Sequence, residues 1–435
     1  MATLETGSFD RGLGKTVDWR LVGCYLALVL IGWLNIYASI HSAEPGSIFS
    51  WSVRSGKQAI WIATAVVLDV LILFVVNPRL WEVISPYAYV AVFFLLVLVI
   101  FVSKDVKGSH SWFELGPVKF QPAEISKITT SLLLAMVMSK PNFRLANRKH
   151  FLYVALIIGM PMLAILGESE TGSALVYVGF LFVLYREGLS GWWIALLGLA
   201  ILLFILTLVT KWWISVAVMF ALCAGYYLQL LHHSRREQRN LRRRMFWRCV
   251  MAFLAGVVLV FATDFIFNNV LQDHQRSRIE VLLGMKEDPA GVGYNVRQSM
   301  IAIGSGGLFG KGYLQGTQTT YGFVPEQSTD FIFCTVGEEW GFLGCLTVIL
   351  LYVFMIWRIL NDADRSREAF TRIYGFCLAA CLFMHLFINI GMTIGLMPVI
   401  GIPLPLLSYG GSSLWAFTVL IFIFISLYRQ EKKYY

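Results

Sequence analysis

Residues 21–40 read LVGCYLALVLIGWLNIYASI, twenty positions in a row without a charged side chain. A helix rises about 1.5 Å per residue, so this segment spans about 30 Å, the thickness of bilayer hydrocarbon. Lipid offers no partner to backbone N–H and C=O groups, and a lone segment satisfies them internally only as a helix. Outward from this stretch the same pattern recurs at 58–76, 84–103, 122–139, 150–167, 171–186, 191–209, 212–231, 248–269, 331–357, 372–396 and 411–428. The 171–186 segment is short, and 191–231 is interrupted only around Thr210 and Lys211, so the count is ten to twelve. The reading is an all-α polytopic membrane protein, a single integral membrane domain over 1–435.

Composition points the same way. Of 435 residues, 57% are hydrophobic and 14% charged, too little polar surface to wrap a soluble globule of this length. Glycine and proline are ordinary at 37 and 12 residues, which excludes collagen-like repetition and low-complexity disorder. Cys24, Cys223, Cys249, Cys334, Cys345, Cys377 and Cys381 lie in or beside apolar runs with no C-x-x-C pair, so they read as packing residues. Asp10, Arg11, Lys15, Asp18 and Arg20 precede the first apolar stretch and no cleavage pattern follows it, so that helix is expected to stay in the membrane.

Lys plus Arg exceed Asp plus Glu by 35 to 26, and in a membrane protein that excess belongs to cytoplasmic loops rather than to a nucleic-acid surface. The densest run is Arg235, Arg236, Arg239, Arg242, Arg243, Arg244 and Arg248. Lys140, Arg144, Arg148 and Lys149 form a second basic loop, Arg358, Arg365, Arg367 and Arg372 a third. With twelve spans and the N-terminus inside, all three are cytoplasmic, as is the tail with Arg429, Lys432 and Lys433. The outer side then receives 41–57, 104–121, 270–330 and 397–410.

The 270–330 loop stands apart, because a long connection in an economical membrane protein is usually functional. It concentrates ionisable groups, among them Asp273, Glu280, Asp288, Arg297, Lys311, Glu326 and Asp330. Within it, YNVRQSMIAIGSGGL reads as a short amphipathic helix ended by glycine turns. The following GSGGLFGKG is not a nucleotide loop, for it lacks a GKS or GKT ending and no strand precedes it.

Carboxylates and cations beside glycines at the outer face suit work on a polar group whose other end stays in lipid, such as a lipid-linked, phosphate-bearing substrate. Pro403, Pro405, Ser408, Tyr409, Gly410, Gly411, Ser412 and Ser413 offer amides and hydroxyls where the last helix begins, although a broken helix end buried in protein reads equally well. Glu124 and Lys127 share one face at the start of a membrane helix, either as a structural pair or as part of a polar cavity. Glu168 and Glu170 form a second acidic site, and Glu338 and Glu339 a third, some of them capping or bracing helices.

FQPAEISK (120–127), KEDPAGVGYNVRQSMIAIGSGGLFGKGYLQGTQ (286–318), FVPEQSTDFIFCTVGEEWGFLG (323–344) and IPLPLLSYGGSS (402–413) together carry a resemblance. In their order and spacing they resemble the SEDS family (shape, elongation, division and sporulation), the membrane peptidoglycan glycosyltransferases, over residue 15 to the C-terminus. GSGGLFGKG followed by GTQ is more similar to the elongation branch than to the division branch. The resemblance implies polymerisation of lipid II into glycan strands at the outer face. There an acceptor hydroxyl attacks the anomeric carbon, inverts it and expels undecaprenyl pyrophosphate. It implies Asp288 as general base, held in a turn by Pro289, Gly291 and Gly293. By the same similarity Glu124 and Lys127 line the polar cavity, and Trp112, Glu326, Asp330, Ser408, Ser412 and Ser413 border it. Lys127, Arg297 and Lys311 are then candidates to compensate charge on the leaving pyrophosphate. No oxygen cage for a metal is legible, which leaves a divalent cation, Mg or Mn, only as a further aid, and no certain cofactor.

Three departures accompany the resemblance. Ser111 stands before Trp112 where the family commonly has Arg, and Glu170 replaces the usual aspartate one methylene shorter. The family has ten transmembrane helices, so 191–232 looks like an inserted hairpin, extended by a basic cytoplasmic loop to 247, and 270–330 is the large outer catalytic loop with short helices. The resemblance also implies a class B penicillin-binding protein as transpeptidase partner and a place in the bacterial inner (cytoplasmic) membrane, multi-pass, with both termini cytoplasmic. A lipid II flippase and an inactive scaffold for a partner synthase remain the competing readings; a flippase needs a polar path through both leaflets.

Overall fold

The computed structural model describes residues 17–103, 111–115, 118–233, 239–286 and 291–434. In chain order the helices are α1 (Trp19–Ile40), α2 (Arg54–Val70, continued by a π turn over Leu71–Val75) and α3 (Arg79–Val102). After a β-hairpin come α4 (Pro122–Met138), α5 (Arg148–Gly167), α6 (Thr171–Val176) and α7 (Phe180–Arg186). They are followed by α8 (Trp192–Val209), α9 (Trp212–His233), α10 (Arg239–Asn269), α11 (Asp273–Leu282) and α12 (Val292–Ser305). The series closes with α13 (Thr317–Thr320), α14 (Ile332–Arg365), α15 (Ala369–Thr393) and α16 (Gly411–Tyr434). Every apolar segment read from the sequence is helical, and ten described helices are long and apolar enough to cross a membrane. The chain is a multi-pass, all-α membrane protein.

Two segments fall short of a plain span for visible reasons. The 17 residues of α4 include Glu124 and Lys127. Residues 171–186 are divided into α6 and α7 by a 3-10 turn at Tyr177–Gly179, where a Cβ on Gly179 would press on Met384. The hairpin β1 (Phe113–Leu115) and β2 (Val118–Phe120) pairs Phe113 with Phe120 and Leu115 with Val118. It was not legible as sheet because three residues per strand give no period to read.

The chain falls into two compact units. One comprises residues up to Leu189 and from Tyr294 onward. Its centre is α15 and α16, whose apolar windows are 83% and 78% buried, against 22% for α3 and 17% for α5 at the periphery. α15 packs on α14 and α4, α16 packs on α2 and α4, and α14 also packs on α1. Residues 190–293 form the other unit, in which α8, α9 and α10 pack pairwise. Phe220 meets Phe253 edge-on at 5.8 Å there, and α11 carries an Arg276–Glu280 pair at 2.9 Å.

Candidate functional site

Pro122 at the first position of α4 presets the helical φ and lacks the N–H that would go unpaired there. The next turn places Glu124 and Lys127 on one face, with Lys127 Nζ 2.9 Å from Glu124 Oε1 and both side chains 2% exposed. Nζ is also 2.9 Å from His385 Nε2 on α15. An ammonium has only donors, so Nε2 accepts and the imidazole proton sits on Nδ1, which donates to the Pro403 carbonyl at 3.1 Å. Phe417 of α16 closes the cluster, 5.1 Å from Nζ and edge-on to the His385 ring at 4.9 Å. Glu124 Oε2 is buried without a partner among the described residues. Beyond the pair itself, the lysine is held by His385 and the Phe417 ring, while the carboxylate keeps one oxygen unused.

The carbonyl of Pro403 belongs to the loop before α16, and that loop is held by a second set of contacts. Asn389 Nδ2, one turn beyond His385 on α15, donates to the Asp330 and Ile402 carbonyls at 2.8 and 2.7 Å. Ser408 Oγ donates to the Thr329 carbonyl at 2.6 Å and accepts from Leu404 N at 2.8 Å. Tyr409 N donates to the Ser328 carbonyl at 2.8 Å, and Arg54 Nη1 donates to Ser328 Oγ at 2.8 Å. Arg54 is also paired with Glu44 at 3.0 Å and is 44% exposed, so a cation stands at the rim of this loop pair. Gly410 N donates to Gln58 Oε1 at 3.2 Å, and a Cβ on Gly411 would strike Trp61. The first-turn amides of α16 beyond it have no intrahelical acceptor by construction. Ser412 and Ser413 are half-buried at that helix start, Asp330 is half-buried, and Glu326 is exposed with a left-handed φ of 54°.

The glycine-rich segment does different work. α14 is broken at Gly341, whose φ of 66° and ψ of −161° interrupt the helix. Lys311 N and Gly312 N donate to the Glu338 and Glu339 carbonyls at 3.0 Å each, and Phe342 N donates to the Gly307 carbonyl at 2.9 Å. Backbones approach so closely that a Cβ at Gly306, Gly310 or Gly341 would run into main-chain atoms of the other strand of the clasp. Its amides serve the kink, which accounts physically for the glycines without a nucleotide.

Lys311 lies in this clasp, its Nζ 2.6 Å from Glu338 Oε1. The fully buried Glu338 carboxylate also accepts from the amides of Thr317, Gln318 and Thr319 at 2.8, 2.8 and 2.9 Å, and from Thr319 Oγ1 at 2.8 Å. It is an anion seated on the first turn of α13. Arg297, on α12, is exposed. Trp112 is half-buried beside Ser111, whose Oγ donates to Glu170 Oε1 at 2.7 Å, so the two unusual residues of the sequence meet each other. Glu168 is buried with neither oxygen partnered among the described residues. Asp288 lies outside the described residues.

The structure thus gathers Glu124, Lys127, Ser408, Ser412, Ser413 and the 326–330 segment around the loop before α16, and it commits Lys311 to Glu338. His385, Asn389 and Arg54 escape a reading of the sequence. A lone His or Asn in an apolar helix has no motif, and only their spacing of four, placing both on one face of α15, was a signal. Among the described residues no three His, Cys, Asp or Glu converge to hold a metal ion. Chemically, the assembly offers a buried ammonium, a carboxylate oxygen with unused lone pairs, a helix N-terminus and a rim guanidinium, a set suited to an anionic, hydroxyl-bearing ligand.

Comparison with known proteins agrees in extent and in kind. Peptidoglycan glycosyltransferase MrdB of Escherichia coli K12 is 34% identical over 413 residues, 94% of this chain and 93% of the relative. Peptidoglycan glycosyltransferase RodA of Treponema pallidum is 31% identical over 436 residues, covering 95% and 98%. Among solved structures, a chain of a peptidoglycan synthase complex that coordinates polymerization and crosslinking superposes with a TM-score of 0.67 at 24% identity, covering 95% and 98%. The crystal structure of RodA from Thermus thermophilus gives 0.58 at 24% identity, covering 95% and 97%. The model of the cell cycle protein family of FtsW, RodA and SpoVE matches residues 18–236 and 239–433, so the chain belongs to that family.

Proposed function

We propose that this chain is a peptidoglycan glycosyltransferase of the elongation type. It joins lipid II disaccharides into glycan strands at the outer face of the bacterial inner membrane, with both termini in the cytoplasm. The observation that carries the reading is the continuous hydrogen-bonded chain Glu124–Lys127–His385–Pro403. It ties the FQPAEISK motif to the loop before α16, and Ser408 ties that loop in turn to the 323–344 motif. Segments far apart in sequence are brought to one polar centre inside an apolar bundle, an arrangement expected of a site rather than of a scaffold.

In this reading the acceptor sugar hydroxyl loses its proton to Asp288, and the resulting oxygen attacks the anomeric carbon from the face opposite the pyrophosphate. Negative charge builds on the leaving pyrophosphate as the glycosidic bond breaks. Lys127, Arg54 at the rim and the first-turn amides of α16 are the proposed groups to receive it, with Arg297 of the outer loop as the further candidate that the resemblance suggests. Glu124 orients Lys127 and keeps one oxygen for a ligand hydroxyl or amide. Trp112, Glu326, Asp330 and the serines border the sugar. No step is routed through a divalent cation; a Mg or Mn requirement is read by adding a chelator to the assay. A class B penicillin-binding protein is the proposed transpeptidase partner.

The test is glycan synthesis from lipid II by the purified, folded chain, alone and with its partner synthase. Asp288→Asn is expected to abolish polymer while lipid II still binds. Undiminished polymerisation by that variant ends the assignment of Asp288 as the base, and movement of lipid II across liposomes without any polymer ends the polymerase reading in favour of a transporter.

A further inference from the structure

Apart from the polar centre, the described residues enclose a cleft of about 540 Å³ between α3, α4, α5 and the 139–147 turn. That volume lies within the range of about 300–1,000 Å³ of small-ligand sites. Leu133 and Val137 of α4 form one wall, and Leu156, Ile157 and Met160 of α5 form the other. Tyr89 of α3 closes the floor, its hydroxyl donating to the Ile157 carbonyl at 3.0 Å, so the wall is fixed without a ligand. Tyr153, Leu156 and Met160 are 60%, 48% and 41% exposed, so the cleft opens sideways onto the surface a membrane helix presents to acyl chains.

One end of this apolar cleft is cationic. Lys140, Asn142 and His150 line it. The His150 ring is held by stacking on Phe143 at 5.0 Å and by the Arg144 amide, which donates to Nδ1 at 3.1 Å. The segment 139–150 carries Lys140, Arg144, Arg148 and Lys149 and contains no carboxylate. Among the described residues no carboxylate is ion-paired with any of those four, whereas Arg186, Arg358 and Arg372 elsewhere in the same unit each have one. Lys140 at the end of an apolar slot, in a loop whose other three cations are exposed and which positive-inside bias puts in the cytoplasm, suits an anion with an apolar tail.

We propose that this cleft binds an anionic glycerophospholipid of the bilayer, with one acyl chain between α4 and α5 and the phosphate at the Lys140–His150 end. The occupant is fixed by charge complementarity. A zwitterionic lipid matches the slot but not the uncompensated cations, and free phosphate matches the cations but not the slot. The site is separate from the Glu124–Lys127 centre and carries no step of the polymerase reaction.

The experiment is native mass spectrometry of the detergent-purified full chain with added phosphatidylglycerol or phosphatidylcholine. Phosphatidylglycerol is expected to be retained preferentially. The Lys140→Gln variant should weaken that retention about fivefold and Lys140→Gln/Arg144→Gln by more than tenfold, in line with the worth of a basic residue at an anionic lipid surface. Leu156→Trp, which fills the slot from an exposed position and leaves the charges untouched, should displace the lipid as well. Equal retention of the two lipids, retention unchanged in the charge variants, or competition by millimolar inorganic phosphate without a tail would each overturn the proposal. A helix of another protein copurifying in the cleft in place of lipid would do the same.

Discussion

Lys127 and Lys311 are the same residue type, each facing a glutamate at hydrogen-bond distance, yet they belong to opposite kinds of structure. Lys127 is 2% exposed and shares itself between Glu124 and His385, and Glu124 retains an oxygen that nothing described satisfies. Lys311 is 27% exposed, and its partner Glu338 is saturated by three amides and two hydroxyls besides the lysine. A saturated carboxylate braces a loop, whereas one with spare acceptor capacity in a polar pocket is able to take a ligand. The pairing partner alone does not distinguish the two, and the remaining lone pairs do.

The largest effect is expected at the deep pair. Lys127→Ala leaves Glu124 and His385 without their shared donor and should cost about 3–5 kcal/mol of stability. The double variant Glu124→Gln/Lys127→Met should melt closer to the parent than Lys127→Ala does, while still making no glycan. A double variant less stable than the single one would mean that the pair is there for stability alone. Thermal unfolding of the three proteins side by side decides this.

Next is Glu338→Gln, which keeps the shape but replaces charge-assisted bonds at α13, each worth about 1.5–3 kcal/mol, by neutral ones. Local opening should follow, read as faster amide exchange at Thr317–Thr319 with exchange in α15 unchanged. If exchange quickens throughout the bundle instead, the clasp is part of the core. A similar magnitude, about 1–3 kcal/mol, is expected for Gly341→Ala, which puts a Cβ at a positive φ against the 308–310 backbone.

The smallest change is expected from Lys311→Gln. A partly exposed lysine whose glutamate keeps its amide donors should lose about 1 kcal/mol or less and most of the polymerase activity should persist. Loss of activity as complete as in the Lys127 variants would erase the distinction between the two lysines and return Lys311 to the pyrophosphate.

Much of this was written in the sequence. Each of the twelve apolar segments is helical, although 171–186 is divided by a turn, and the amphipathic stretch after Asp288 became α12 with glycines at its end. Periodicity and length report what a segment needs locally, which for a chain in lipid is internal hydrogen bonding. They miss what depends on a neighbour. The 331–357 segment runs on to Arg365, and the 248–269 segment begins at Arg239, because helices continue past the hydrocarbon wherever flanking polar residues are solvated. The break at Gly341 was invisible, since glycine alone does not say whether another backbone will lie against it.

The polar centre divides in the same way. Glu124 and Lys127 were legible as a pair because three residues apart on a helix is a local relation. His385 is 258 positions from Lys127, and no local rule selects it from the chain's seven histidines. Asn389, Arg54 and the caging of Glu338 likewise exist only once α2, α14 and α15 have packed. The amino-acid order by itself determined a helical membrane chain, its family and its charged motifs, because hydrophobic length and short-range spacing are properties of one segment. Which cation stays available and which is spent on bracing was decided by tertiary structure, because hydrogen-bond saturation is a property of everything that surrounds a group.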